Sequence, residues 1–183
     1  MKTAFVTGVS GQDGPYLCKH LIEKGYKVVG GDRANASGSL WRLDYLGIRD
    51  LVEIVDLELS EITNIQKIFE KYNFDEVYNL ASQSFVASSF KTPLMTSDIT
   101  GLGVTRILEC IKLYNPKARF YQASTSEMFG KISDDIQNEE TRFHPRSPYG
   151  ISKLYAHWMT INYREAYDMF ACNGILFNHE SPL

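Results

Sequence analysis

A short apolar run, Thr3–Thr7, breaks straight into Gly8-Val9-Ser10-Gly11-Gln12-Asp13-Gly14, and an amphipathic stretch follows at once. Few architectures use that order. Glycines at this spacing let the backbone turn tightly out of a strand and into a helix. They also allow close approach to the helix N-terminus, whose N–H groups and dipole favour an anion. A strand, a glycine turn and a helix form the first half of a βαβ unit. In that context the spacing reads as a loop that cradles a dinucleotide pyrophosphate rather than as an ordinary turn. Gly8, Gly11, Gln12, Asp13 and Gly14 are its candidate binding residues.

The rest of the chain continues the alternation. A helix is predicted over Tyr16–Lys24, with Leu17, Leu21 and Ile22 inward; Pro15 is tolerated in its first turn and Gly25 ends it. Strands are predicted at Lys27–Gly31, Leu51–Val55, Val77–Ala81, Ala118–Ala123 and Phe170–Phe177. Ser60 is the expected N-cap of a helix that turns Ile62, Ile65, Ile68, Phe69 and Tyr72 to one side. A long helix is expected near Asp98–Tyr114, with Leu102, Ile107, Leu108 and Ile111 as its apolar stripe. Ser147 caps a last helix, with Pro148 at its first position, running toward Tyr167. Alternation of this kind implies right-handed crossovers and an α/β fold, a doubly wound parallel Rossmann-type sheet of about six strands. Residues 1–183 suffice for one dinucleotide-binding domain with a real core. Arg33–Ser39, small and polar, is expected to be a mobile loop.

Composition excludes several classes. A formal charge of -3 leaves no basic footprint, so no nucleic-acid partner is expected. No apolar run approaches the roughly 20 residues of a membrane span, so no membrane partner is expected. The apolar run at the N-terminus is too short for a signal peptide. Cys18, Cys110 and Cys172 are odd in number and far apart, and read as reduced core residues of a cytoplasmic protein.

The strand ends carry the candidate chemistry, since ligands of such sheets bind beyond the carboxyl ends of the strands. Asp32 stands 18 residues after Gly14, near the spacing of a carboxylate that bonds a ribose 2′-hydroxyl, which favours NAD. Arg33 beside it instead suits the 2′-phosphate of NADP, and the two signals conflict. Asp56, followed by Leu57, is either an acceptor for an adenine amino group or a strand-end turn residue. Leu80, Ala81, Ser82 and Ser84 end the fourth strand and are small enough for close cofactor approach. Tyr149 and Lys153 are four apart and share a helix face. A phenol is a poor base near neutral pH, and a neighbouring ammonium and a cationic nicotinamide are expected to lower its pKa. Thr125 can polarise the substrate oxygen that Tyr149 deprotonates, and Glu127 adds a second proton-transfer group.

With these residues in place, the chain resembles the extended short-chain dehydrogenase/reductases, and among them the GDP-mannose 4,6-dehydratase family. The resemblance rests on Thr7-Gly8-x-x-Gly11-Gln12-Asp13-Gly14, Tyr121–Glu127, Pro145–Tyr149, Asn162–Glu165 and the long run Ala171–Pro182. It implies Thr125, Glu127, Tyr149 and Lys153 as the catalytic set. It implies that Lys153 and His179 contact the cofactor and that Asn178, with Ser84, lies near the substrate. The cofactor it implies is NADP, although of the second-strand end only Arg33 matches the family, and Asp32 and Ala34 do not. It further implies GDP-mannose as substrate, GDP-4-keto-6-deoxymannose as product on the route to GDP-fucose, and a homo-oligomer. The match covers the N-terminal part of such enzymes, so a C-terminal substrate region is expected to be absent. Two alternatives remain open at this point. One is a sugar epimerase of the same superfamily, which shares the Tyr/Lys pair but gives Glu127 no task; the other is a fragment that binds cofactor without turnover.

Overall fold

The computed structural model of the protein describes residues 1–33, 40–132 and 136–183. Six parallel strands form one sheet in the order β3-β2-β1-β4-β5-β6. They are β1 Thr3–Thr7, β2 Lys27–Asp32, β3 Val52–Asp56, β4 Glu76–Asn79, β5 Arg119–Thr125 and β6 Ala171–Leu176. From β1 the chain winds outward to β2 and β3, then returns to β1's other side and continues through β4, β5 and β6. The reversal lies between β1 and β4, and it opens a crevice at their carboxyl ends.

Side-chain alternation along the strands divides the core between the two faces. Phe5 and Val29 point to one face and pack with Ile65 and Phe69 of α3 (Ile62–Lys71) and with Ile107, Leu108 and Ile111 of α6 (Gly103–Tyr114). Ala4, Val6 and Val28 point to the other and pack with Cys18 and Leu21 of α1 (Asp13–Glu23) and Leu43 of α2 (Trp41–Tyr45). On the first face Phe5 stacks on Phe74 at 4.9 Å and meets Phe69 edge-on at 5.9 Å. These arrangements add to the area each ring buries.

Most element assignments stand, with boundaries moved by one to three residues, and several local readings change. The cap of α3 is Glu61, whose carboxylate accepts from the Thr63 amide at 3.1 Å; Ser60 bonds Glu58 instead. The helix expected from Asp98 begins as a π-helical turn, Ser97–Leu102, before α6. That wider turn rotates Leu102 off the stripe, leaving it 45% exposed while Ile107, Leu108 and Ile111 are buried. Five short helical segments among the described residues were not anticipated: α2, a 3₁₀ turn at Arg49–Leu51, α4 (Val86–Lys91), α5 (Pro93–Thr96) and a 3₁₀ turn at Ser126–Met128. Each is too short to show a helical period in sequence. Cys18 and Cys110 are core thiols as expected, but Cys172 is exposed because it faces outward on the edge strand β6. Of the stretch read as a mobile loop, residues 34–39 lie outside the described residues. The last helix forms as expected: Ser147 accepts from the Gly150 amide at 3.0 Å, Pro148 takes the first position, and α7 runs Pro148–Tyr167.

Candidate functional site

The crevice is a cleft of about 380 Å³, within the usual range for small-molecule sites. Of the residues expected to hold a cofactor, Gly8, Gly11, Gln12, Asp13, Gly14, Asp32, Arg33, Leu57, Leu80, Ala81, Ser82 and Ser84 line it. Gly8 has φ 71°, and a side chain there would meet the Ala81 backbone nitrogen at 2.9 Å, so only glycine fits. Gly14 lets α1 sit on the loop: a Cβ there would stand 2.6 Å from the Gly8 carbonyl oxygen. Gln12 occupies the N-cap of α1 without capping it. Its side chain donates instead to the His179 carbonyl at 3.1 Å. The first amides of α1 are therefore not capped by their own N-cap residue, and they border the cleft. This is the arrangement a pyrophosphate needs.

Residues that the motif reading passed over complete the walls. Ser10, Glu58, Leu59, Gln83, Met95 and Ile99 also line the cleft. Met95 and Ile99 come from α5 and the π-helical turn, and the Gln83 amide donates to Thr100 of that turn at 3.1 Å. Asp56 is exposed and does not line the cleft; its successors Leu57 and Glu58 do. The strand's pleat sends Leu57 inward and turns Asp56 away.

A buried polar chain runs from the cleft floor to the helix bearing Lys153. Thr7 donates to the Asn79 side chain at 2.7 Å and accepts from the amides of Leu80 and Ala81. Asn79 donates to Gln122 at 2.8 Å, and Gln122 donates to the Ala123 carbonyl at 2.9 Å. Lys153 donates to that same carbonyl at 2.8 Å. Every link is paired, which holds the strand ends and Lys153 in one register. Burial lowers the Lys153 pKa from 10.5 to about 8.

Tyr149, Thr125 and Glu127 come together at the end of β5. The β5 strand ends at Thr125, and a 3₁₀ turn, Ser126–Met128, carries Glu127 with its amide on the Thr125 hydroxyl at 3.2 Å. Gly150 at the start of α7 leaves room for the Glu127 carbonyl; a Cβ there would meet it at 2.8 Å. Tyr149 is buried, and its phenol feels the side chains of Thr125 and Ser82 and the field of the Glu127 carboxylate. Ser82 thus joins the cleft to the phenol, a link the sequence did not suggest. Burial first, then Glu127, push the phenol's pKa up, while Thr125 and Ser82 oppose them. This corrects the expectation that Lys153 lowers it. The Lys153 ammonium lies 5.8 Å from the ring centroid and spends its hydrogen bond on Ala123.

His179 and Asn178 lie past β6. His179 reaches back to both carboxylate oxygens of Asp13, at 2.9 and 3.0 Å, and its other ring nitrogen meets the Phe177 carbonyl at 2.8 Å. These contacts raise its pKa, the Phe177 carbonyl most and Asp13 next. Asn178 is exposed.

A parallel 3-2-1-4-5-6 sheet, a glycine loop at its switch point and a Tyr/Lys pair opening the helix after β5 define a Rossmann domain of the short-chain dehydrogenase/reductase class. The comparisons narrow this. The sequence model described as GDP-mannose 4,6 dehydratase matches residues 5–183, and the chain belongs to that family. It is 46% identical over 190 residues to a GDP-mannose 4,6-dehydratase of Yersinia enterocolitica, covering 100% of this chain and 51% of that protein. The chain spans about half the length of the curated relatives it matches. In fold it is similar to the UDP-Glc/GlcNAc 4-epimerase of Campylobacter jejuni, with TM-score 0.86 and 20% identity over 97% of this chain and 53% of that one. It is also similar to a dTDP-glucose 4,6-dehydratase of Bacillus anthracis in complex with NAD, with TM-score 0.81 and 22% identity over 100% and 56%.

Proposed function

We propose that the protein is a lyase that removes water from GDP-mannose to give GDP-4-keto-6-deoxymannose with the help of NADP. Family membership supports the substrate class, and the half of the relatives' length spanned here carries the dinucleotide cleft. The observation that carries the reading is a carboxylate placed among the hydroxyls around a buried phenol: Glu127 beside Thr125 and Tyr149. An epimerase needs the phenol and gives that carboxylate no task.

The residues fit a dinucleotide. The uncapped N-terminus of α1 would hold the pyrophosphate, Leu80, Ala81, Ser82 and Ser84 would border its path, and Lys153 and His179 would serve its nicotinamide half. A nicotinamide held there would supply a reversible hydride store for C4 and C6 of the sugar. The chain's own groups move the protons. Tyr149 takes the proton of the 4-hydroxyl, and Thr125 holds the same oxygen. The phenol is too weak an acid for this until positive charge stands beside it, and an oxidised nicotinamide held there would supply that charge. The 4-keto group acidifies the C5 hydrogen; Glu127 removes it and passes that proton to the 6-hydroxyl, which leaves as water, and as C6 takes hydride the proton held by Tyr149 goes to C5, so both side chains end as they began. Ser84 and Asn178 are assigned to the sugar nucleotide. Cytoplasmic location and self-association belong to the same proposal.

Glu127→Gln tests it. The variant is expected to bind NADP as the parent does, to lose production of the dehydrated sugar by about 100-fold or more, and to show no steady change in nicotinamide absorbance. Undiminished dehydration in the variant would remove Glu127 from the chemistry. Steady accumulation of reduced nicotinamide by the parent would identify a simple dehydrogenase instead.

A further inference from the structure

One face of α7 carries three buried polar side chains, Tyr149, Lys153 and His157, each four residues after the last. Each meets a different residue near the end of β5. Tyr149 feels Thr125, and Lys153 donates to the Ala123 carbonyl at 2.8 Å. His157, which the chemistry above does not use, brings its Nδ1 to 3.1 Å from the Ser124 hydroxyl. Ser124 in turn donates to the Asn173 side-chain oxygen at 3.3 Å, and the Asn173 amide nitrogen donates to the His157 carbonyl at 3.2 Å. The three residues close a triangle across α7, β5 and β6. Phe143 and Trp158 pack edge-on against the imidazole, with ring centroids 5.4 and 6.0 Å away, and hold its plane.

The triangle dictates where its protons lie. The His157 carbonyl can only accept, so Asn173 turns its amide nitrogen to it and its oxygen to Ser124. The single Ser124 proton goes to that oxygen. Toward His157 the hydroxyl can then only accept, so Nδ1 carries a hydrogen. Burial first, then Arg164, lower the His157 pKa. At neutral pH the imidazole is therefore uncharged, and Nε2 is its bare nitrogen. Removing one corner would leave the other two without a partner.

Successive side chains of a strand point to opposite sides. With Ser124 fastened to α7, Thr125 points the other way, and there the Tyr149 phenol feels it. A slip of one residue at this strand end would exchange the two hydroxyls. We propose that His157 is a positioning residue for the proton transfer: by holding Ser124, it sets the register in which Thr125 meets Tyr149. This rests on the reading of Thr125 and Tyr149 as the groups on the sugar oxygen, and it adds the side chain that keeps them paired.

NMR of the 183-residue chain, labelled in histidine nitrogens and tyrosine ring carbons, tests this without sugar or dinucleotide. At neutral pH His157 is expected to show a hydrogen on Nδ1 and a lone pair on Nε2. Tyr149 is expected to titrate above an ordinary tyrosine: burial raises its pKa, and Thr125 is the larger of the two contacts opposing the rise. His157→Leu removes the donor, frees Thr125 and should shift that titration further up. His157→Asn, which puts an amide N–H in the place of Nδ1–H, should return it to the parent's position. Ser124→Ala cuts the same bond from the strand side and should shift Tyr149 as leucine does; it decides the matter if the leucine variant does not fold. A hydrogen on Nε2 instead of Nδ1 in the parent overturns the proposal. So does an unmoved Tyr149 in Ser124→Ala, or an equal shift in His157→Leu and His157→Asn, which would make the imidazole a filler of space. The Glu127→Gln test of dehydration can fail while these signatures stand, so the two ideas are separable.

Discussion

Replacing Lys153 by methionine should make the fold more stable while damaging the site. The ammonium is 3% exposed and its pKa falls from 10.5 to about 8 through burial alone. At 1.36 kcal/mol per unit, that displacement represents about 3 kcal/mol of unfavourable burial. The hydrogen bond to Ala123 offsets part of it, so a gain of about 1–3 kcal/mol is expected near neutral pH. The lost bond leaves no orphan, because Gln122 also donates to the Ala123 carbonyl, and methionine fills the space of the stem. The sign can be followed with pH. Below about 8 both the folded and unfolded parent carry the proton, and the burial penalty is fully present. Between about 8 and 10.5 the unfolded chain binds more protons than the folded one, so the parent gains stability as pH rises. The variant has no such group, so its advantage should shrink across that window and vanish above it. Urea denaturation of both proteins through the window, with dinucleotide titration alongside, measures this. Parallel stability curves, or a variant less stable than the parent at neutral pH, would refute a buried ammonium at this position.

Two further outcomes follow from the loop and its tether. Gly14→Ala places a Cβ 2.6 Å from the Gly8 carbonyl oxygen and 2.8 Å from the Val9 Cα; both are backbone, so a loss of about 1–3 kcal/mol is expected from overpacking, with weaker dinucleotide binding because the loop must move. An unchanged urea midpoint would show that the turn has slack. Asp13→Asn should bring His179 back toward its ordinary pKa in an NMR titration, since Asp13 is one of the contacts that raise it. Because the folded value is raised, the pair's stabilisation is full below 6.5 and fades as pH rises through the folded value. Being half exposed, the pair should contribute little, and its loss should matter only on the acid side.

The local grammar of the chain was legible before any coordinates. A glycine turn directly after Thr3–Thr7, Ser147-Pro148 at the head of α7 and the four-residue spacing of Tyr149 and Lys153 act through neighbours a few residues away. Such signals are carried by backbone geometry, so they survive in sequence alone. The alternation of apolar runs likewise determined a parallel, doubly wound sheet. Where a competing local choice existed, the reading slipped: Glu61 caps α3 in place of Ser60, one residue earlier.

Tertiary structure decided what depends on strands meeting across long separations. His179 finds Asp13 166 residues away, and Thr7 finds Asn79 72 residues away. Ser82 reaches Tyr149 only because the return crossover sets β4 against β1 and β5 together. Arg42, on a five-residue helix with no periodic signal, gains its place beside Ser10 from the packing of Leu43. Sequence can name a phenol, an ammonium and a carboxylate, but the charge each carries depends on burial and neighbours, and those exist only once the chain has closed around them.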